Sequence, residues 1–294
     1  MNSCLTRHLR NGLMVLSAFL LAGFGTVLLN AASRTECRTI RSENLGRTVR
    51  YCAILPASYD ADTSRRYPVL YYLHGLGDNE SSLVRFGGWE LVERLQEKKQ
   101  IGEFLIIVPD GGRTFYINSR DGAVRYEDFF IKEFIPGMEK RYRALSTRSG
   151  RGISGTSMGG YGALRFAFRH PEMFASVSVH SAVLVENLGG DISDSLGRNS
   201  PFGRPMDIAF WNDNNPLELV RKAQNLRNLK IYFDCGRQDE FGFDAGTELL
   251  HKILEQRGIP HEFHIYPGNH GWEFVAEHFD ESLIFQSSAL AAKK

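Results

Sequence analysis

The 294-residue chain has no charge excess of either sign: 35 Lys and Arg stand against 34 Asp and Glu, a formal net charge of +1. That balance excludes the clustered basic footprint expected of a nucleic-acid binder. No phosphate loop and no dinucleotide fingerprint occurs, so no cofactor is implied. The nine His and four Cys are scattered without ligand spacing, which leaves no metal cluster to propose. Internal repeats, low-complexity tracts and long polar linkers are missing too, so nothing divides the chain into several domains.

A long apolar run is present near the N-terminus. Arg7 and Arg10 precede Leu13–Leu29, 17 residues long, and Ala31-Ala32-Ser33 offers small residues for cleavage. The pattern predicts an export signal over 1–33 and a single α/β domain over 34–294, secreted or periplasmic. The run is short for a membrane span but long for a signal core, so an uncleaved anchor is the alternative. No stable membrane association is otherwise expected. Neither Cys4 nor Cys37 follows a lipidation motif. Without the leader, 33 basic residues face 34 acidic ones. About 261 residues remain, enough for a sizeable core.

Cys37 and Cys52 flank a turn-like stretch, Ser42-Glu43-Asn44-Leu45-Gly46, between two strand-like segments, Thr35–Arg41 and Arg47–Leu55. Folding about Asn44-Leu45 sets the two Cys opposite each other, and a cross-strand disulfide is expected, with two buried thiols as the alternative. Cys235 is left over and is expected to be packed rather than reactive.

After this hairpin, strand-like and helix-like segments alternate. The strands are Tyr67–Leu73, Phe104–Val108, Arg151–Ser154, Phe174–Val179, Leu229–Phe233 and His261–Tyr266. Helices are expected around Leu83–Gln96, over Glu127–Ala144 with a kink at Pro136, after residue 157, over Gly246–Arg257 and from Trp272 onward. Such alternation predicts a mainly parallel central sheet with helices on both faces. Ligands then bind at the carboxyl ends of the strands. An irregular stretch, about Leu184–Pro216, is long enough to serve as a lid or a cleft wall.

Gly155-Thr156-Ser157-Met158-Gly159 reads G-x-S-x-G, set between the strand ending at Ser154 and a Gly-rich helix start. This context marks a nucleophile elbow, a turn tight enough to demand small neighbours, which lifts the Ser157 hydroxyl above the sheet. An ordinary βα turn with a helix-capping Ser is the plain alternative. A Ser hydroxyl needs a base, and the base an orienting acid, following the Ser in the order acid, then His.

That order eliminates most His. His8 lies in the leader, while His74, His170 and His180 precede every candidate acid. His251 and His278 sit in helical stretches, and His261 and His264 in the last strand. His270 alone occupies a loop beyond a strand end, Gly268-Asn269-His270-Gly271-Trp272. The acid is sought after Leu229–Phe233, where Asp234, Asp239, Glu240 and Asp244 compete. Asp239 has the most room to turn towards the imidazole. Donors for an oxyanion are expected at the backbone N–H of Met158, after the nucleophile, and of Leu76 in His74-Gly75-Leu76-Gly77.

At these residues the chain resembles the esterase D family of α/β-hydrolases, which includes S-formylglutathione hydrolases, feruloyl and acetylxylan esterases and secreted mycolyltransferases. The likeness rests on Leu45–Asp60 (LGRxxxYxxxLPxxYD), Tyr71–Asn79 (YYLHGLGDN), Val108–Ser119 (VPDGGRTFYINS), Gly155–Ala163 (GTSMGGYGA), Cys235–Phe241 (CGRQDEF) and His270–Trp272 (HGW). It implies the α/β-hydrolase fold, Ser157 as nucleophile, Asp239 as acid, His270 as base, and Leu76 with Met158 as the oxyanion hole. The family often carries an aromatic three positions after Trp272, where this chain has Val275.

The expected function is an exported serine carboxylesterase acting on short-chain or aryl esters, carbohydrate-linked ones included. Phe115, Tyr116, Asn118 and Trp272 are candidate substrate contacts, the first three with a structural loop as the alternative. An acyltransferase to a sugar would use the same triad. An S-formylglutathione hydrolase fits less well because its thioester is cytosolic, and a non-catalytic binding protein on the same scaffold is a further alternative.

Overall fold

The computed structural model describes residues 33–186 and 200–290. Eight strands form one sheet: β1 (Arg34–Arg41), β2 (Thr48–Leu55), β3 (Val69–Leu73), β4 (Leu105–Pro109), β5 (Arg151–Thr156), β6 (Ser176–His180), β7 (Lys230–Gly236) and β8 (Glu262–Tyr266). Their spatial order is β1-β2-β4-β3-β5-β6-β7-β8. β1 pairs antiparallel with β2, and β2 with β4, while the remaining pairs are parallel. The expected mainly parallel sheet with an N-terminal hairpin is what the chain forms.

Alternation along each strand builds two apolar layers. Tyr71, Leu73, Leu105, Ile107 and Ile153 point to one face, where Tyr161, Leu164 and Leu250 cover them. Leu70, Tyr72, Ile106 and Val108 point to the other and meet Val92, Val275, Phe279 and Leu283. Five helices supply most of this cover: α1 (Gly88–Glu97), α2 (Ile135–Arg141), α3 (Met158–Arg169), α4 (Phe243–Gln256) and α5 (Trp272–Leu290). With both faces covered, β3, β4 and β6 are buried along their whole length.

Several boundaries differ from the sequence reading. The helix expected from Leu83 is broken at Gly87, whose φ of 81° lies in the left-handed region. The long helix expected over Glu127–Ala144 is three pieces: a turn at Tyr126–Phe129, a π-helical turn at Phe130–Phe134, and α2. Pro136 cannot donate an N–H and crowds the preceding turn, and the widened π turn accommodates it. The helix stops at Arg141 because Tyr67 claims the following backbone, donating to Arg143 O (2.8 Å) and accepting from Leu145 N–H (2.8 Å). β7 runs on to Gly236, so Asp234 lies inside the sheet rather than at its end. Of the stretch expected to be irregular, residues 187–199 lie outside the described residues. Its later part forms a helix at Ile208–Asn214, N-capped by Asp207.

Cys37 sits opposite Cys52 in the β1–β2 ladder and is bonded to it, while Cys235 is a buried free thiol. Ser33 is buried and belongs with the folded part: its hydroxyl donates to Glu93 (2.8 Å) and accepts from Trp89 Nε1–H (2.6 Å). The rest of the expected leader, 1–32, lies outside the described residues. Among the described residues no helix is long and apolar enough to cross a membrane.

Candidate active site

β5 delivers Ser157 to the rim of the sheet through a turn that tolerates no side chain on either flank. A Cβ at Gly155 would lie 2.4 Å from Gly159 O, and one at Gly159 only 1.9 Å from Leu73 O. Between them Ser157 takes φ 54°, ψ −118°, outside the regions ordinary residues occupy. Such a conformation costs about 1–3 kcal/mol and persists only where its surroundings over-determine it. Two hydrogen bonds bracket it: Ser157 N–H donates to His180 O (3.0 Å), and Val183 N–H donates to Ser157 O (3.2 Å).

The loops after β7 and β8 bring the other two groups to the serine. Gly236 packs so tightly on the second loop that a Cβ there would lie 2.3 Å from Gly268 O. Gln238 ties the loops further, its N–H donating to Gly268 O (2.9 Å) and its Oε1 accepting from Gly268 N–H (2.8 Å). Across this seam Asp239 Oδ2 lies 2.7 Å from His270 Nδ1, and His270 Nε2 lies 3.0 Å from Ser157 Oγ. A carboxylate only accepts, so the ring hydrogen sits on Nδ1 and Nε2 is free to take the serine proton. Asp239 is itself buried, and its Oδ1 accepts from Phe241 N–H (3.0 Å).

The rival acids have other partners. Asp234 is buried against His180, 2.8 Å from its Nδ1. Glu240 accepts the backbone N–H of His270 (2.8 Å), which holds its carboxyl below the usual range. Asp244 faces Arg237 at 3.5 Å. Cys235 is packed as expected, and its thiol lies 3.5 Å from Asp239 Oδ2, a contact that no spacing in the sequence marks. Burial, reinforced by the Asp239 charge, pushes that thiol well up, so it stays protonated and can donate.

On the opposite side of Ser157 runs the loop His74–Gly77. A Cβ on Gly75 would lie 3.6 Å from Ser157 Cβ, so this backbone passes in van der Waals contact with Ser157. His74 anchors it: Nδ1–H donates to Gly75 O (2.8 Å), and Nε2 accepts from Gly111 N–H (2.8 Å). Among the described residues the N–H groups of Leu76 and Met158 find no protein acceptor. That of Met158 is a first-turn helix donor, which lacks an intrahelical partner by construction.

The model of the Esterase family matches residues 42–286. The chain belongs to that family. An esterase of Mycobacterium tuberculosis is 32% identical over 244 residues, covering 74% of this chain and 51% of the relative, so the chain spans about half of that protein's length. An acetyl esterase of Caldicellulosiruptor saccharolyticus is 25% identical over 262 residues, 84% of this chain and 95% of the relative. Among solved structures, a ferulic acid esterase superposes with a TM-score of 0.78 at 27% identity, over 89% of this chain and 100% of that one.

Around the candidate site, the four residues expected to contact substrate fall in different surroundings. Phe115 is buried and packs edge-on against Tyr161 and Phe202. Tyr116 is buried as well, and its hydroxyl donates to His74 O (2.9 Å), bracing the loop that faces Ser157. Both take positive φ, 50° and 58°. Asn118 donates to Asp128 (2.9 Å). Trp272 stacks on Phe86 at 4.5 Å, beside a small apolar pocket that Val275 also lines. Phe241, half exposed, stands edge-on to His270 at 4.9 Å and was not singled out in sequence. The CGRQDEF motif that contains it is the signal that marks it. Among the described residues no group of three or more His, Cys, Asp or Glu is arranged to hold a metal ion.

Proposed function

We propose that the chain is a serine carboxylesterase working through an acyl-enzyme on Ser157. The carrying observation is the continuous Asp239–His270–Ser157 relay, 2.7 Å and 3.0 Å between its polar atoms, at the carboxyl end of the sheet. His270 Nε2 takes the Ser157 proton as Oγ attacks the ester carbonyl carbon, and Asp239 stabilises the imidazolium that forms. The N–H groups of Leu76 and Met158 receive the oxyanion, each such donor lowering the barrier by about 3 kcal/mol. Collapse expels the alcohol, which His270 protonates. Water then repeats the sequence on the acyl-enzyme, releasing the acid and restoring Ser157.

The substrates are short-chain or aryl esters, including esters on carbohydrate. The acetyl and ferulic acid esterases among the similar proteins support this class. The Cys37–Cys52 bond supports export to an oxidising compartment, with residues 34–294 as one esterase domain. A fluorophosphonate probe tests the reading: it labels the wild type and leaves Ser157→Ala untouched. Equal labelling of the two proteins refutes it. Product analysis with and without a sugar acceptor then separates hydrolysis from acyl transfer.

A further inference from the structure

The chain holds a second Ser–His–Asp array. His180 Nδ1 lies 2.8 Å from Asp234 Oδ2, and His180 Nε2 lies 2.8 Å from Ser282 Oγ on α5. Tyr232 O–H donates to Asp234 Oδ2 (2.9 Å), and Ser282 Oγ also lies 3.0 Å from Phe279 O. All three members are buried, Asp234 and Ser282 to 1% exposure and His180 to 0%. No substrate reaches Ser282, which sits mid-helix, so the array is not a second active site.

Its place in the sheet points to another role. Thr156, His180 and Asp234 are cross-strand neighbours in one row of β5, β6 and β7. The residues that follow them are Ser157, Ser181 and Cys235. Two backbone bonds join the two rows: Ser157 N–H donates to His180 O (3.0 Å), and Ser181 N–H donates to Asp234 O (2.9 Å). His180 thus offers its carbonyl to the strained nucleophile while its ring is clamped between β7 and α5.

We propose that the His180–Asp234–Ser282 array is a positioning device for Ser157, fixing the end of β6 against which the elbow is held in its strained conformation. The proposal rests on Ser157 being the nucleophile. Stability alone does not require such an array. Polar groups in an apolar interior carry a desolvation penalty, and apolar residues of similar volume are often neutral or stabilising replacements. What an apolar filling lacks is direction. Hydrogen bonds at both ring nitrogens fix His180 along and across the strand, and a displacement near 1 Å at a reacting group can cost about a hundredfold in rate.

The test replaces the whole array at once, so that no member is left buried and unpaired: His180→Met, Asp234→Val and Ser282→Ala together. Circular dichroism, melting temperature, KM and kcat on a p-nitrophenyl ester, and the fluorophosphonate labelling rate are compared with wild type. The expected result is a melting temperature within about 5 °C of wild type. KM is unchanged, while kcat and the labelling rate both fall, by up to about a hundredfold. The single variant Asp234→Asn, which keeps the hydrogen-bond positions, retains most of the wild-type rate. A folded triple variant that labels at the wild-type rate overturns the proposal. If the triple variant does not fold, Ser282→Ala carries the test: its labelling rate falls at least about threefold with KM unchanged, and an unchanged rate overturns the proposal. A wild type that the probe does not label at all refutes the esterase reading instead.

Discussion

Among the described residues two Ser–His–Asp arrays border one sheet, and only the outer one is partly open to solvent. In the outer array Ser157 is raised on a turn at φ 54°, and His270 and Asp239 stand on loops beyond β8 and β7. The inner array has a helical Ser282 and two strand residues, and its members are sealed from water. The polar distances are nearly the same: 2.7 and 3.0 Å outside, 2.8 and 2.8 Å inside. Residue types and spacing therefore do not make a nucleophile. Access for an ester, a serine held out of its relaxed conformation and nearby free N–H donors do. The inner array has none of these, and the same hydrogen bonds there hold structure in place.

Substitutions at matching positions sharpen the contrast. The largest effect is expected at the serines: Ser157→Ala lowers kcat by about a millionfold, whereas Ser282→Ala lowers it by less than about tenfold, as steady-state hydrolysis would show. The carboxylates come next. Asp239→Asn keeps the fold and reduces kcat about ten-thousandfold by losing the correct His270 tautomer. Removing only one member of the inner pair, as in Asp234→Val, instead destabilises by about 1–3 kcal/mol, read from urea denaturation, because His180 Nδ1 and the Tyr232 hydroxyl lose their buried partner.

A smaller effect concerns the helix behind the elbow. Burial pushes the Glu127 carboxyl up, but Arg165 on α3 and His170 just beyond its end outweigh it and bring it down to about 2. A carboxyl lowered on folding stabilises at neutral pH and loses that contribution as pH falls from about 4.5 towards 2. Glu127→Gln should therefore flatten the acid limb of a stability-versus-pH curve and leave the alkaline limb alone. The smallest effect on activity is at the far edge: Cys37→Ser with Cys52→Ser costs about 3 kcal/mol of stability but changes kcat less than about twofold. β1 and β2 lie at the opposite end of the sheet from β7 and β8.

Much of the outer site was legible in sequence because it is written in local rules. The glycines around Ser157 report a turn with no space for a Cβ, and chain order left His270 as the base. The acid was less legible. Asp234, Asp239, Glu240 and Asp244 fall within eleven residues, and the true end of β7, which decides what each can reach, depends on its pairing with β6 and β8. The inner array was invisible for a related reason. Ser282 meets His180 across 102 residues of chain, by docking α5 on the sheet, and no spacing rule encodes that contact. The helix end at Arg141 likewise follows from a distant contact, the backbone bonds that Tyr67 makes with Arg143 and Leu145.

The central claim is that Ser157, and not its buried counterpart, carries the acyl group. Rapid acid quenching of the enzyme with p-nitrophenyl acetate, followed by peptide mapping by mass spectrometry, tests it directly. The account predicts an acetyl group on the peptide containing Ser157 and none on the peptide containing Ser282. Acetylation elsewhere with Ser157 unmodified, or equal trapping in Ser157→Ala, would contradict it.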